Sequence, residues 1–209
     1  MSRKTFAIAA ALLLLTLGLP LINAKADPWA IHYFDQGIKK YEAGNYQGAI
    51  EDWNKVIKIK PQSSVTFHNR GVAKDDLGDH QGAITDFNRA IELDPKYALA
   101  YNNRGVTKDE LKDYQGAIND FSKALEIEPK YAIAYYNRGN AKSRLKNYQA
   151  AITDWSKAIE INPQLAVAYK NRGIAREIEN DLAGACQDWR KAVDLGMKEP
   201  AEWLKSQCQ

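Results

Sequence analysis

The two cysteines are the side chains whose spacing most clearly allows chemistry. Cys186 and Cys208 lie 10 and 11 residues from a turn at Gly196-Met197. With a rise of about 1.5 Å per residue, two helices meeting at that turn would bring both thiols to the same height. An even count is typical of disulfides in exported proteins. We therefore predict a disulfide that holds a closing helix; two free thiols, one of them buried, are the alternative.

The remaining reactive residue types do not form a recognisable catalytic or metal-binding pattern. The three histidines, His32, His68 and His80, have no cysteine, histidine or acid at metal-ligand spacing. The glycines are spread along the chain and do not form a phosphate-binding loop, and no nucleophile motif is present. The sequence predicts no metal, no cofactor and no enzyme activity.

The net positive charge of the chain comes from its first 26 residues. The sequence has 29 basic and 26 acidic residues, and Arg3, Lys4 and Lys25 lie in this acid-free stretch, so the remainder is balanced at 26 and 26. Nucleic-acid binding requires a clustered basic surface. We therefore predict no nucleic-acid partner.

The same 26 residues resemble a signal peptide. Arg3 and Lys4 precede an apolar run, Phe6–Leu17, and Ala24-Lys25-Ala26 fits the small-x-small rule for cleavage before Asp27. This pattern predicts export to a periplasm or a thylakoid lumen, with no stable membrane span after cleavage. An uncleaved anchor over Phe6–Ile22 is the alternative.

A 34-residue repeat organises the rest of the chain. Glycines recur at that interval at Gly37, Gly71, Gly105, Gly139 and Gly173, and prolines at Pro61, Pro95, Pro129 and Pro163. A period of this length is typical of a solenoid, in which each repeat buries its apolar face against its neighbours. We divide residues 27–197 into repeats 1 to 5, at about 28–61, 62–95, 96–129, 130–163 and 164–197, followed by a capping helix within 198–209.

Each repeat reads as a helix, a tight turn and a second helix. In repeat 3 we expect helices over about 96–111 and 114–127. The second helices begin after residues that favour helix N-caps: Asn45, Asp79, Asp113, Asn147 and Asp181. Each repeat ends before a proline, which disfavours helix at the preceding residue.

These features resemble the tetratricopeptide repeat (TPR) family. When Ala98 is counted as place 1, Gly105, Ala117, Phe121, Ala124 and Pro129 fall where the family has small, aromatic and proline residues. The Asn-Arg-Gly run at 69–71, 103–105, 137–139 and 171–173 resembles a bacterial, especially cyanobacterial, subclass. The resemblance implies an all-α fold, a right-handed α-solenoid. It says little about function, because the family serves many partners.

Basic residues occupy two places where the family usually has large apolar ones. Place 7 is arginine in four repeats, and place 11 is lysine or arginine. Each arginine has a possible acidic mate before the second-helix aromatic. The mate could lie in the same repeat (Arg104 to Asp120) or in the preceding one (Arg104 to Asp86), and the sequence does not decide. We interpret these pairs as structural.

In the TPR family the first helix of each repeat lines a concave groove, which implies a binding site for a segment of a partner protein. The residues at the corresponding places are His68, Asn69, Asn102, Asn103, Tyr136, Asn137, Asn140, Lys170 and Asn171. The asparagines resemble those that hold peptide backbone in family members. In the alternative interpretation they bond only between repeats.

The resulting hypothesis is an exported protein-interaction scaffold, an assembly factor for an envelope or photosynthetic membrane complex. Its partner would be another protein or a peptide segment. The runner-up is a peptide- or solute-handling accessory subunit of an envelope enzyme or transporter. The sequence does not indicate an oligomeric state.

Overall fold

The computed structural model describes residues 27–208. The predicted signal peptide, its cleavage site before Asp27 and the alternative anchor over Phe6–Ile22 lie outside or at the edge of the described residues. Within 27–208 the chain forms eleven helices and no strand, as the all-α prediction requires. The helices are α1 (Pro28–Glu42), α2 (Tyr46–Ile59), α3 (Ser64–Asp76), α4 (His80–Leu93), α5 (Ala98–Glu110), α6 (Tyr114–Ile127), α7 (Ala132–Arg144), α8 (Tyr148–Ile161), α9 (Ala166–Ile178), α10 (Leu182–Asp194) and α11 (Pro200–Gln207).

Side-chain caps start four of the five second helices. Asp79 Oδ1 accepts from the backbone N–H of Gly82 at 2.9 Å, and Asn45, Asp113 and Asp181 do the same. Asn147 is the N-cap residue of the fifth second helix, as predicted, but its side chain makes no capping hydrogen bond. The third residue of that helix is Ala150 instead of glycine, and a Cβ at this place would overlap the capping group, as it would at Gly82.

The turn within each repeat needs a left-handed backbone residue just before the cap. Gly44 and Gly78 fill this place with φ of 78° and 83°. Lys112, Lys146 and Asn180 fill it in the later repeats with φ of 60–66°. Glycine tolerates this conformation, whereas it is strained for other residues, lysine in particular. This recurring turn therefore brings the second helix of each repeat back against the first.

The core combines a glycine on the first helix of a repeat with an alanine and an aromatic ring on the second. Ala49, Ala83, Ala117, Ala151 and Ala185 are fully buried. In repeats 1, 2, 4 and 5 the aromatic ring of the second helix packs on the place-8 glycine of the first, and a Cβ added at Gly71 would lie 2.8 Å from Phe87 Cε1. This close approach explains why the glycine recurs every 34 residues.

The chain forms two compact units that divide at Thr107 and Lys108. In the first unit α1 packs on α2, α2 on α3 and α3 on α4. In the second unit consecutive helices from α6 to α11 pack in the same way. Each unit is therefore a run of helix pairs packed in chain order.

The last helix is fixed to its neighbour by a covalent bond and by ring packing. Cys186 in α10 and Cys208 after α11 form a disulfide. The rings of Trp189 and Trp203 meet edge to face with their centroids 5.3 Å apart. Among residues 27–208, every helix is too short or too polar to span a bilayer.

Candidate partner-binding face

Side chains of α7 and α9 in the second unit form a linked polar surface. We call the residues Tyr136, Asn137, Asn140, Lys170 and Asn171 the asparagine face; all five are partly exposed. Asn171 Nδ2 donates to Asn140 Oδ1 at 3.0 Å and to the Tyr136 hydroxyl at 3.3 Å. Three of the predicted site residues of repeats 4 and 5, Tyr136, Asn140 and Asn171, are thus brought together.

Asn140 also supports the core beneath the asparagine face. Its Oδ1 accepts from Trp155 Nε1 at 3.1 Å. In repeats 1 and 5 the same place is Ile38 or Ile174, and the indole N–H of the facing tryptophan, Trp53 or Trp189, has no hydrogen-bond partner among residues 27–208. One Asn140 oxygen therefore satisfies both a buried donor and a surface amide.

Spare polar atoms remain on this face. Within residues 27–208, Asn140 Nδ2 and Asn171 Oδ1 make no hydrogen bond. One is a donor and the other an acceptor, which is what a peptide backbone requires, since each peptide unit offers one C=O and one N–H.

Lys170 at the edge of this face carries a compensated charge. Its ammonium lies 3.0 Å from Glu199 Oε2 at the start of α11. The glutamate side chain is two-thirds exposed, so water competes for the pair. Lys170 therefore offers less charge to an acidic ligand than an unpaired lysine would.

Two predicted groove residues are instead buried in the first unit. His68 is completely buried and Asn102 nearly so, which corrects the prediction that both face a partner. The rings of Phe87 and Tyr97 lie 5.8 and 5.0 Å from the His68 ring. The neighbouring Asn69 and Asn103 remain partly exposed.

The imidazole of His68 links repeats 2 and 3. Asn103 Nδ2 donates to its Nε2 at 2.9 Å, so the ring proton resides on Nδ1, which donates to Asn69 Oδ1 at 3.1 Å. Burial disfavours the charged ring, and although the Asn69 bond opposes this effect, the pKa of His68 falls to about 4. His68 is therefore a neutral structural group near pH 7.

The arginines at place 7 connect the two helices of a repeat to each other and to the preceding repeat. Arg138 Nε and Nη2 donate to Asp154 at 2.9 and 2.7 Å, within its own repeat. Arg138 Nη1 donates to Ser122 of the preceding repeat at 3.1 Å. Arg70 and Arg172 bond in the same way, so the acid is the mate in the same repeat, and a neutral acceptor binds from the preceding one.

Repeat 1 replaces this arrangement with lysines, because Gln36 stands in place of arginine. Lys40 and Lys55 lie 2.5 and 2.8 Å from the buried Asp52. Burial alone would raise the pKa of Asp52, but the hydrogen bonds from these two lysines hold it below its ordinary value. The carboxylate thus stays charged and paired without an arginine.

One titratable pair escaped the sequence reasoning. His80 Nδ1 lies 2.8 Å from Asp75 Oδ1, so an acid does lie near this histidine. The residues are five apart and on opposite sides of the turn between α3 and α4. Only the tightness of that turn, with φ of 83° at Gly78, could have indicated the contact.

Family models match the middle of the chain. A tetratricopeptide repeat model matches residues 98–131 and 132–165, and a TPR repeat model matches 76–108. A crystal structure of MamA is 30% identical with a TM-score of 0.71, and the match covers 76% of this chain and 93% of MamA. The chain belongs to the tetratricopeptide repeat family.

Solved structures of lower sequence identity share the fold alone. The chain is similar to PilF of Pseudomonas aeruginosa, with 19% identity, a TM-score of 0.76 and coverage of 82% of this chain and 78% of PilF. It is also similar to YrrB, described as a TPR protein with an unusual peptide-binding site, with 16% identity, a TM-score of 0.69 and coverage of 84% and 91%. No curated protein sequence matches the chain.

Proposed function

We propose that this TPR protein is an exported interaction scaffold that binds a segment of a partner protein on the asparagine face. The observation that carries the proposal is the unused donor on Asn140 and the unused acceptor on Asn171, held beside each other by the bond between the two side chains. A segment of peptide backbone could use both atoms while its side chains contact Tyr136. TPR proteins are in general interaction scaffolds and not catalysts, which agrees with this role.

Two observations support export. Residues 1–26 have the basic start, apolar run and small-x-small end of a signal peptide. The Cys186–Cys208 disulfide is of a kind that persists in oxidising compartments and is rare in the cytosol. These observations favour a periplasm or a thylakoid lumen, and we propose that the protein acts there as an assembly factor for an envelope or photosynthetic membrane complex.

Site-specific photo-crosslinking in the native cell tests the proposal. A photoreactive phenylalanine analogue replaces Tyr136 on the face or, as a control, Gln149 on the exposed side of α8. We expect Tyr136 to capture one protein, identified by mass spectrometry of the cross-linked peptide, and Gln149 to capture none.

A matched variant separates the face from its neighbours. Asn140→Ile and Asn171→Asp introduce residues that this chain already uses at the same places, Ile174 and Asp35. We expect the double variant to fold and to lose the Tyr136 cross-link. Equal capture from Gln149, or full capture by the double variant, would show that binding occurs elsewhere.

A further inference from the structure

The first helix of repeat 1 exposes large rings at its start. Trp29 and Ile31 keep 63% and 49% of their surfaces exposed, in a chain whose other tryptophans are mostly buried. The Trp29 ring stacks on the Tyr33 ring with centroids 6.2 Å apart, and it meets the His32 ring edge to face with centroids 6.1 Å apart. We call Trp29, His32 and Tyr33 the end face.

Repeat 3 shows what normally covers this place. Tyr97 and Ala100 lie 68 residues, or two periods, after Trp29 and His32. There they pack in one apolar cluster with Ala90, Ile91 and Leu93 of α4, the second helix of the preceding repeat. The counterpart of a second helix is what the end face lacks, because Trp29 is exposed where Tyr97 is covered.

Neither the described residues 27–208 nor the second helices of another copy supply the missing helix. Two periods before Ala90, Ile91 and Leu93 the sequence has Ile22, Asn23 and Lys25, two of which are polar, so the apolar sequence pattern of a second helix does not extend back to these positions. The second helices of another copy already use their apolar sides in their own core, with Ala83 and Ala90 fully buried.

We propose that the end face is a second binding site, separate from the asparagine face, which takes an amphipathic α-helix of another protein. The occupant is a helix with a small residue followed by branched apolar residues one and three places later, as in Ala90, Ile91 and Leu93. This helix docks where the second helix of a preceding repeat would pack, and Trp29 lies against its apolar stripe.

The probe for this site is a peptide derived from the second helix of repeat 2. A fluorescein-labelled, helix-stapled peptide copies residues 79–95, with Phe87→Lys to remove the ring that belongs to the core of repeat 2. A second peptide also carries Ile91→Asp and Leu93→Asp. Fluorescence anisotropy measures the binding of each peptide to the protein produced from the full 209-residue sequence.

We expect saturable binding of the first peptide and at least about tenfold weaker binding of the second, since the two apolar contacts are lost. Trp29→Ser should weaken the first peptide by at least about tenfold and leave the protein folded, because serine stands at the same place in repeat 2, at Ser63. The control, Leu77→Ser, changes a half-exposed apolar residue in a turn and should not affect binding.

Three results would overturn the proposal. The first is that the first peptide shows no saturable binding, and the second is that it binds Trp29→Ser as tightly as the wild type. The third is a dimer in sedimentation equilibrium that Trp29→Ser dissociates, because a second copy would then be the occupant. The cross-link at Tyr136 should be unchanged in Trp29→Ser, so failure at the end face leaves the asparagine face to be judged by its own experiment.

Discussion

Arg172 and Asp188 connect the two helices of repeat 5 through a pair of parallel hydrogen bonds, at 2.9 and 2.6 Å. The arginine also donates from Nη1 to Ser156 of repeat 4 at 2.9 Å. The carboxylate is almost fully buried and receives a further bond from Arg176. The planar guanidinium of Arg172 thus donates both to the second helix of its own repeat and to the preceding repeat.

Removal of this arginine should destabilise the protein measurably. Arg172→Met keeps most of the side-chain volume but leaves Asp188 with Arg176 alone, so we expect the free energy of unfolding to fall by about 2 kcal/mol. Urea denaturation measures the change. Lys123→Met, in the exposed pair with Glu126, is the matched control and should have little effect.

A double-mutant cycle isolates the bond between repeats. Ser156→Ala combined with Arg172→Met should give a coupling energy of about 1 kcal/mol, the usual value of one hydrogen bond. Strict additivity would show that Arg172 acts only within its own repeat.

Acid should weaken the first unit through His68. Its pKa is about 4 in the folded protein, against an ordinary value of 6.5, so between these values the unfolded chain binds more protons. Stability is therefore complete above about pH 6.5 and is lost as the pH falls towards 4, with a total of about 3 kcal/mol. Urea denaturation at pH 7 and pH 4.5 measures the loss.

His68→Asn tests the origin of that acid sensitivity. Asparagine stands at the same place in repeat 3, at Asn102, and does not titrate. The variant should lose much less stability between pH 7 and pH 4.5 than the wild type. The lowered pKa of Asp52 contributes to stability in a lower pH window, near and below the ordinary value of 3.8, so the two effects separate. An equal loss in both proteins would contradict the role of His68.

Gly173→Ala should destabilise the protein, although a change from glycine to alanine within a helix usually stabilises it. Alanine ordinarily favours a helix by about 1 kcal/mol. A Cβ at Gly173 would lie 2.6 Å from Trp189 Cδ1, and Trp189 is itself buried. We expect a net loss of about 1–3 kcal/mol in thermal or urea unfolding. A stabilised variant would show that the Trp189 ring can move aside.

The repeat architecture was predictable because its determinants are local and periodic. Glycine, alanine and an aromatic residue at fixed places specify how each second helix packs on its first helix, and the prolines end each repeat. The burial of His68 was not predictable, since its place in the family's groove gave no sign of the rings of Phe87 and Tyr97 around it. The mates of the arginines also required coordinates, because both pairing schemes have the same number of partners.

The site was predictable only in part for a related reason. A single sequence indicates which asparagines share a helix face, but not which amide atoms are already used by neighbours. Asn140 shows the difference, because its oxygen is taken by Trp155 and Asn171 while its nitrogen remains unused. Only the geometry of the surrounding side chains distinguishes the two.

Reduction of the Cys186–Cys208 disulfide should release the last helix before the rest of the chain unfolds. The bond joins residues 22 apart, and closing such a loop contributes about 3 kcal/mol. Helix α11 has only eight residues, too few to be stable alone, so without the bond it depends on contacts such as Trp189 to Trp203 and Lys170 to Glu199.

Hydrogen exchange measured by mass spectrometry follows that release. In Cys208→Ser, and in reduced wild type, amides of 200–207 should exchange much faster, whereas those of α9 should keep their protection. Reducing agent should have no further effect on Cys208→Ser, which serves as its own control. If α11 stays protected after reduction, the tryptophan pair is sufficient to hold it. In that case the disulfide acts mainly by restricting the unfolded chain, and its loss would appear only in the free energy of global unfolding.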